Sequence, residues 1–129
     1  MAVFRKPLKP TIAGLGQPPV SMAGESLIIR EWTDPGPSYL RIHHSDDEAW
    51  HVLEGSLRFL FEHEELEAPA GSTIFVPAGV AHTDRVTEPS RYLIFLTPRL
   101  DHLVARLRAL TDQSQLRSTL AEFDTLIVE

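Results

Sequence analysis

The sequence predicts an all-β sandwich or barrel followed by a helical tail, and three observations carry that prediction. Glycine and proline punctuate the chain at short intervals as far as Pro98, and neither occurs after it. Between them lie about eight short segments with β-branched and aromatic content, each closed by a turn signal. Beyond Pro98 the apolar residues recur at helical spacing instead.

Residues 1–24 read as an extended lead-in, because Pro7, Pro10, Pro18 and Pro19 exclude a regular helix. The strand texture then runs over residues 25–97. Leu27 to Trp32 is the first strand, closed by Asp34-Pro35-Gly36-Pro37. Tyr39 to His43, Ala49 to Leu53 and Leu57 to Glu62 follow, separated by Ser45-Asp46-Asp47 and Glu54-Gly55-Ser56. Leu66 to Ala68 and Ser72 to Val76 flank Pro69-Ala70-Gly71, and Pro77-Ala78-Gly79 leads into His82 to Val86 and then Arg91 to Thr97. No long helix interrupts the series, which argues against a parallel α/β sheet. In the tail, residues 98–129, Thr97 is placed to cap a helix with Pro98 at its first position. Leu100, Leu103, Val104, Leu107 and Leu110 form the apolar stripe of that helix. Asp112 or Ser114 is placed to cap a second, carrying Leu116, Leu120, Phe123 and Ile127. Two such helices cover a barrel end or a dimer surface.

The 129 residues amount to one domain, large enough to bury a core without disulfides or a structural metal. The absence of cysteine excludes disulfides, iron–sulfur clusters and thiol catalysis. A net charge of -6 argues against a general nucleic-acid partner. No apolar run approaches a bilayer span, and the N-terminal stretch lacks the continuous apolar segment of a signal peptide. A cytoplasmic protein without a membrane partner is expected. The eight acidic residues between 46 and 67 face one arginine, Arg58, and all but Glu48 read as solvated turns and edge protection. They contain no Asp-x-Asp calcium loop.

Five of the six histidines lie between residues 43 and 82. His43 and His44 precede Glu48, and Gly55 follows it. Further on, Gly71, Pro77, Gly79 and His82 describe a strand entering a Pro-x-Gly turn that a histidine leaves. Imidazole nitrogens with a carboxylate oxygen suit a divalent first-row metal. Of the remaining histidines, His51 should face away from Glu48, while His63 and His102 should be solvated.

The two segments resemble the two cupin motifs, G-x5-H-x-H-x(3,4)-E-x6-G and G-x5-P-x-G-x2-H-x3-N. The second fits at every position except its last, where Val86 replaces asparagine, and the first fits at Glu48 and Gly55. Fifteen residues separate Gly55 from Gly71, a short spacing typical of small single-domain cupins. The resemblance implies a jelly-roll (double-stranded β-helix) barrel with its site inside, and commonly a homodimer. It also implies a metal held by His43, Glu48 and His82, which could be iron, manganese, nickel or zinc. His44 is the alternative to His43 under the shorter spacing.

Arg41 stands where the family has its first histidine. On the same side of its strand as His43, its guanidinium about 5 Å from a divalent ion would cost roughly 6 kcal/mol at an effective dielectric near 20. Three arrangements are open to it: turning away, clamping an anionic group of a bound ligand, or pairing with Glu48 in place of the metal. Three functions follow. The first is a metal-dependent oxygenase or isomerase of a small organic anion, with Glu48 and Arg41 as catalytic groups and Trp50 and Phe75 on the substrate pocket wall. The second is a metal-free module binding a small molecule, and the third is an interaction protein that works through its tail.

Overall fold

The computed structural model describes residues 10–12 and 19–129, so the lead-in reading of residues 1–9 and 13–18 lies outside the described residues. The punctuated region forms strands β1 (Ser21–Ala23), β2 (Ile28–Trp32), β3 (Leu40–His43), β4 (Glu48–Glu54), β5 (Ser56–Leu60), β6 (Glu65–Pro69), β7 (Thr73–Val76), β8 (Thr83–Val86) and β9 (Arg91–Leu96). The tail forms helix α1 (Pro98–Ala109), a 3-10 turn (Gln113–Gln115), helix α2 (Leu116–Glu122) and a last strand, β10 (Thr125–Val128). Among the described residues no helix is long and apolar enough to cross a membrane.

The strands make two antiparallel layers. One is a five-stranded sheet in the order β1-β2-β9-β4-β7. The other joins β6-β5-β8 to β3-β10 through a single bridge between Arg41 and His82. Alternation turns one set of side chains inward from each layer. Trp50, Val52, Leu57, Phe59, Ala68, Val76 and Tyr92 pack between the layers as the core, with Trp50 and Phe59 edge-to-face at 5.0 Å. The outward set of the five-stranded sheet lines up in register as Met22, Ile29, Phe95, Ala49 and Phe75. Phe75 is therefore 63 % exposed and does not line the pocket, contrary to the sequence reading, because its neighbours Ile74 and Val76 take the inward positions of β7.

The glycines identified in the motifs have structural work. Gly55 sits at φ +79° in the turn between β4 and β5, where a side chain would collide with Pro89 and Ser90. Gly79 has φ +90°, and its N–H donates to the His43 carbonyl at 2.8 Å. Ala78 N–H donates to Asp47 Oδ1 at 2.9 Å, so the second motif's turn is stitched directly onto the first motif's segment.

Helix α1 starts as its sequence predicts. Thr97 Oγ1 accepts from the Leu100 N–H at 3.2 Å, and Pro98 opens the first turn. Leu100, Leu103 and Leu120 join Ile28 and Leu96 in a second apolar cluster between the helices and the barrel. The second helix differs from expectation. It ends at Glu122, and Ile127 belongs to β10. Asp124 adopts φ +55° and breaks the helix, and the β-branched run after it pairs with β3, Thr125 against His43 and Val128 against Leu40.

Candidate metal centre and adjoining cavity

His43 ends β3, Glu48 begins β4 and His82 immediately precedes β8. All three are buried, and one ligand atom from each lies within 4.8 Å of the others. Glu48 Oε1 is 2.9 Å from His82 Nε2 and 3.4 Å from His43 Nε2. The imidazole rings meet edge-to-face, with centroids 5.3 Å apart. His44 is exposed, its backbone N–H bound to the Asp124 carbonyl, which decides between the two candidate histidines in favour of His43.

The outer nitrogen of each ring fixes what the inner one offers. His82 Nδ1–H donates to the Val80 carbonyl at 2.8 Å. His43 Nδ1 is 2.8 Å from Thr125 Oγ1, and that hydroxyl's own proton is committed to the Phe123 carbonyl. The hydroxyl oxygen therefore accepts from His43 Nδ1–H. Both Nε2 atoms then present lone pairs toward the Glu48 carboxylate, and such a cluster is satisfied only when a cation or an added proton sits among its donors. Two imidazole nitrogens and a carboxylate oxygen are a first-row metal donor set, so the residues present fit a divalent ion.

Arg41 does not turn away from this point. It is buried, its Nη1 donates to the His82 carbonyl at 3.3 Å, and its Nη2 lies 3.7 Å from Glu48 Oε1. At that separation an effective dielectric near 20 gives an attraction of roughly 4 kcal/mol. That is comparable with the repulsion a nearby divalent ion would exert, so the guanidinium and a metal can share the Glu48 carboxylate. Burial alone would raise the Glu48 carboxyl, but in the metal-free cluster the hydrogen bonds that His43 and His82 donate once an added proton occupies Nε2, together with the Arg41 charge, hold it well below the usual carboxylate range. Burial also lowers the His43 imidazole, against the pull of Glu48.

Asp84 is a second buried acid at this end of the cavity, absent from the sequence reading. It sits on β8 opposite Phe59, two residues past His82 and on the same inward side. Burial pushes its carboxyl upward while Arg41 draws it down. Strand parity from His82 is the signal that would have found it. Thr125 gave no such signal, because its role depends on a strand contributed by the tail.

The polar cluster forms the floor of a cavity of about 380 Å³. Arg41, His43, Glu48, Trp50 and Asp84 line that end. Trp32, Ile94 and Leu96 supply walls from the barrel. Leu100, Leu103, Val104, Leu107, Leu116 and Leu120 roof it from α1 and α2. Arg108 caps the solvent side, 3.9 Å above the Trp32 ring and 3.3 Å from Asp34. Tyr92 donates its hydroxyl to the Asp34 carbonyl beneath it.

No curated protein matches the chain in sequence. Among solved structures it is similar to a cupin-2 domain protein from Shewanella frigidimarina, at 24 % identity over 60 % of this chain and 78 % of that one, with a TM-score of 0.54. It is also similar to KdgF from a Halomonas species, at 21 % identity over 64 % and 79 %, TM-score 0.54. An RmlC-like cupin from Desulfovibrio desulfuricans matches at 19 % identity over 70 % and 97 %, TM-score 0.53. Identities this low establish the shared fold alone. The sequence family described as Cupin_2, cupin domain, matches residues 30–96, more than half of the chain, and that span carries both motifs and all three candidate ligands. The chain therefore belongs to the cupin domain family.

Proposed function

We propose that this cupin holds a divalent first-row metal on His43, Glu48 and His82 and binds a small organic anion in the adjoining cavity. The convergence of the two histidine Nε2 lone pairs on Glu48 Oε1 is the observation that carries the reading. Iron, manganese, nickel and zinc all suit the donor set. When bound, such an ion supplies Lewis acidity or oxygen activation, the chemistry of an isomerase or a dioxygenase.

The chain's own residues would do the rest. Thr125 and the Val80 carbonyl hold the imidazoles in the metal-binding tautomer. Arg41 answers a ligand carboxylate or enolate with guanidinium donors that its two long protein contacts leave under-used. Charge points the same way, since a divalent ion with Arg41 outweighs Glu48 and Asp84 even when both acids are ionised. Metal analysis after reconstitution with each ion tests the reading. About one equivalent is expected, and less than about a tenth of an equivalent of every ion, at the sensitivity of micromolar binding, would sink it.

The 3.7 Å approach of Arg41 to Glu48 favours a second reading, a metal-free binding module in which that ion pair replaces the metal. It predicts a ligand-dependent rise in melting temperature that persists in excess chelator and in Glu48→Ala. The metal-dependent reading predicts that both treatments abolish the rise.

A further inference from the structure

The cavity is polar at its floor and at its solvent mouth, where Arg108 pairs with Asp34 and Tyr39 and Gln113 also reach the lining, and it is apolar between them. Arg41, Glu48 and Asp84, together with the Trp50 indole, gather at the floor, and among the described residues two of the buried polar atoms without a protein partner, Trp50 Nε1 and Asp84 Oδ2, belong to it. The roof is different. Leu100, Leu103, Val104, Leu107, Leu116 and Leu120 carry no hydrogen-bonding side-chain group, and Trp32, Ile94 and Leu96 extend that apolar surface down the barrel wall. A sugar or nucleoside held there would bury hydroxyls against leucine without partners, which disfavours it strongly. All six roof residues lie beyond residue 96, outside the span that the cupin family matches. The selectivity of this cavity is thus written in the part of the chain that the family does not describe.

From this asymmetry we infer that the ligand is an apolar-bodied carboxylate, its carboxylate on Arg41 and its aliphatic or aromatic body under the α1–α2 roof. The inference deepens the proposed function, resting on it for the anionic head and on the roof for the body. Size bounds it further. A volume of about 380 Å³ takes roughly a dozen non-hydrogen atoms at about 30 Å³ each. That corresponds to a straight-chain acid of about eight to ten carbons or an arylalkanoic acid of similar bulk.

Calorimetric titration with the n-alkanoates from acetate to decanoate, with gluconate as an equally charged polar control, tests it on manganese-loaded and chelator-treated protein. Affinity should rise about fourfold per methylene until the cavity is full. Gluconate should bind at least tenfold more weakly than octanoate. Val104→Thr keeps the shape of the roof and adds a hydroxyl, so it should weaken octanoate several-fold while leaving manganese stoichiometry unchanged. An affinity that does not change with chain length, or gluconate matching octanoate, would overturn the inference. A parallel manganese titration separates the two proposals. A rising series without manganese binding rejects the metal and keeps the apolar-bodied ligand, whereas manganese binding with a flat series rejects the ligand class alone.

Discussion

The floor and the roof of the cavity are built by opposite rules. The floor takes single residues from β3, β4 and the start of β8, fixed by backbone pairing and by hydrogen bonds with one geometry. Moving any of them by one position would turn its side chain to the other face of its strand. The roof takes many interchangeable leucines from two helices, and its requirement is area and volume rather than direction. The contrast teaches where to look for each property in this chain. Under the proposed function, chemistry would rest on a few directional contacts and selectivity on a collective surface. Substitutions at the floor should therefore produce large, specific losses, and those holding the roof in place should produce small, graded ones.

The largest effect belongs to Glu48, the point on which both histidines and Arg41 converge. Glu48→Gln keeps the shape and removes the charge. Metal affinity, measured by competition with a chelating dye, should fall by more than about a hundredfold. The metal-free protein should also lose about 3 kcal/mol in urea unfolding, because Arg41 becomes an uncompensated buried charge. A metal affinity within tenfold of the parent would show that Glu48 is not a ligand.

Thr125 is the next test, because it asks whether the floor is complete without the tail. Its hydroxyl accepts from His43 Nδ1–H and so holds Nε2 free for a metal. Thr125→Val should weaken metal binding by about ten- to a hundredfold, with Thr125→Ser restoring most of it. Stability should fall by only about 1 kcal/mol for the lost hydrogen bond. Equal metal affinity in all three proteins would assign Thr125 to the packing of β10 alone.

The same division explains what the amino-acid sequence discloses. Gly71, Pro77, Gly79 and His82 are legible because each occupies a turn position or a place in the buried His-Glu-His cluster, at a fixed spacing. The eight strands of that reading, which are β2 to β9, and the capped start of α1 follow from turn chemistry and periodicity in the same local way, whereas β1 lies in the stretch read as a lead-in. Asp84 was open to the same logic through its parity with His82. Phe75 was misplaced because an aromatic residue in a strand carries no mark of which face it takes, and only the pairing of β7 with β4 turns it outward. Thr125 and β10 were hidden for a related reason. The spacing Leu116, Leu120, Phe123, Ile127 satisfies a helix, and what ends the helix is a tertiary pairing with β3 that local pattern does not contain. Roof residues were legible as a helix stripe, while the cavity beneath them is a property of how that stripe meets the barrel.

The smallest expected effect tests the attachment of the roof to the barrel. Arg30 on β2 reaches α1 through a two-pronged contact with Asp101, Nε to Oδ1 at 2.7 Å and Nη2 to Oδ2 at 2.9 Å. Asp101 also lies in the first turn of α1, where a negative charge complements the helix dipole. The hydrogen bond from Arg30 holds the Asp101 carboxyl below its ordinary range, although the pair is partly solvated. A carboxyl depressed in the folded state binds fewer protons there than in the unfolded chain, so its contribution is present above the unfolded value of about 4 and is lost as pH falls through the native one. Asp101→Asn should therefore melt below the parent protein by about 4 °C or less at neutral pH, the scale of about 1 kcal/mol for a partly exposed pair. The difference should shrink toward zero on acidification below about pH 3, where the parent's own carboxyl is protonated. A difference that stays constant from pH 7 to pH 3 would mean that the contact holds α1 by shape rather than charge. Octanoate affinity in Asp101→Asn should equal that of the parent protein if the roof leucines alone set the position of α1 over the cavity.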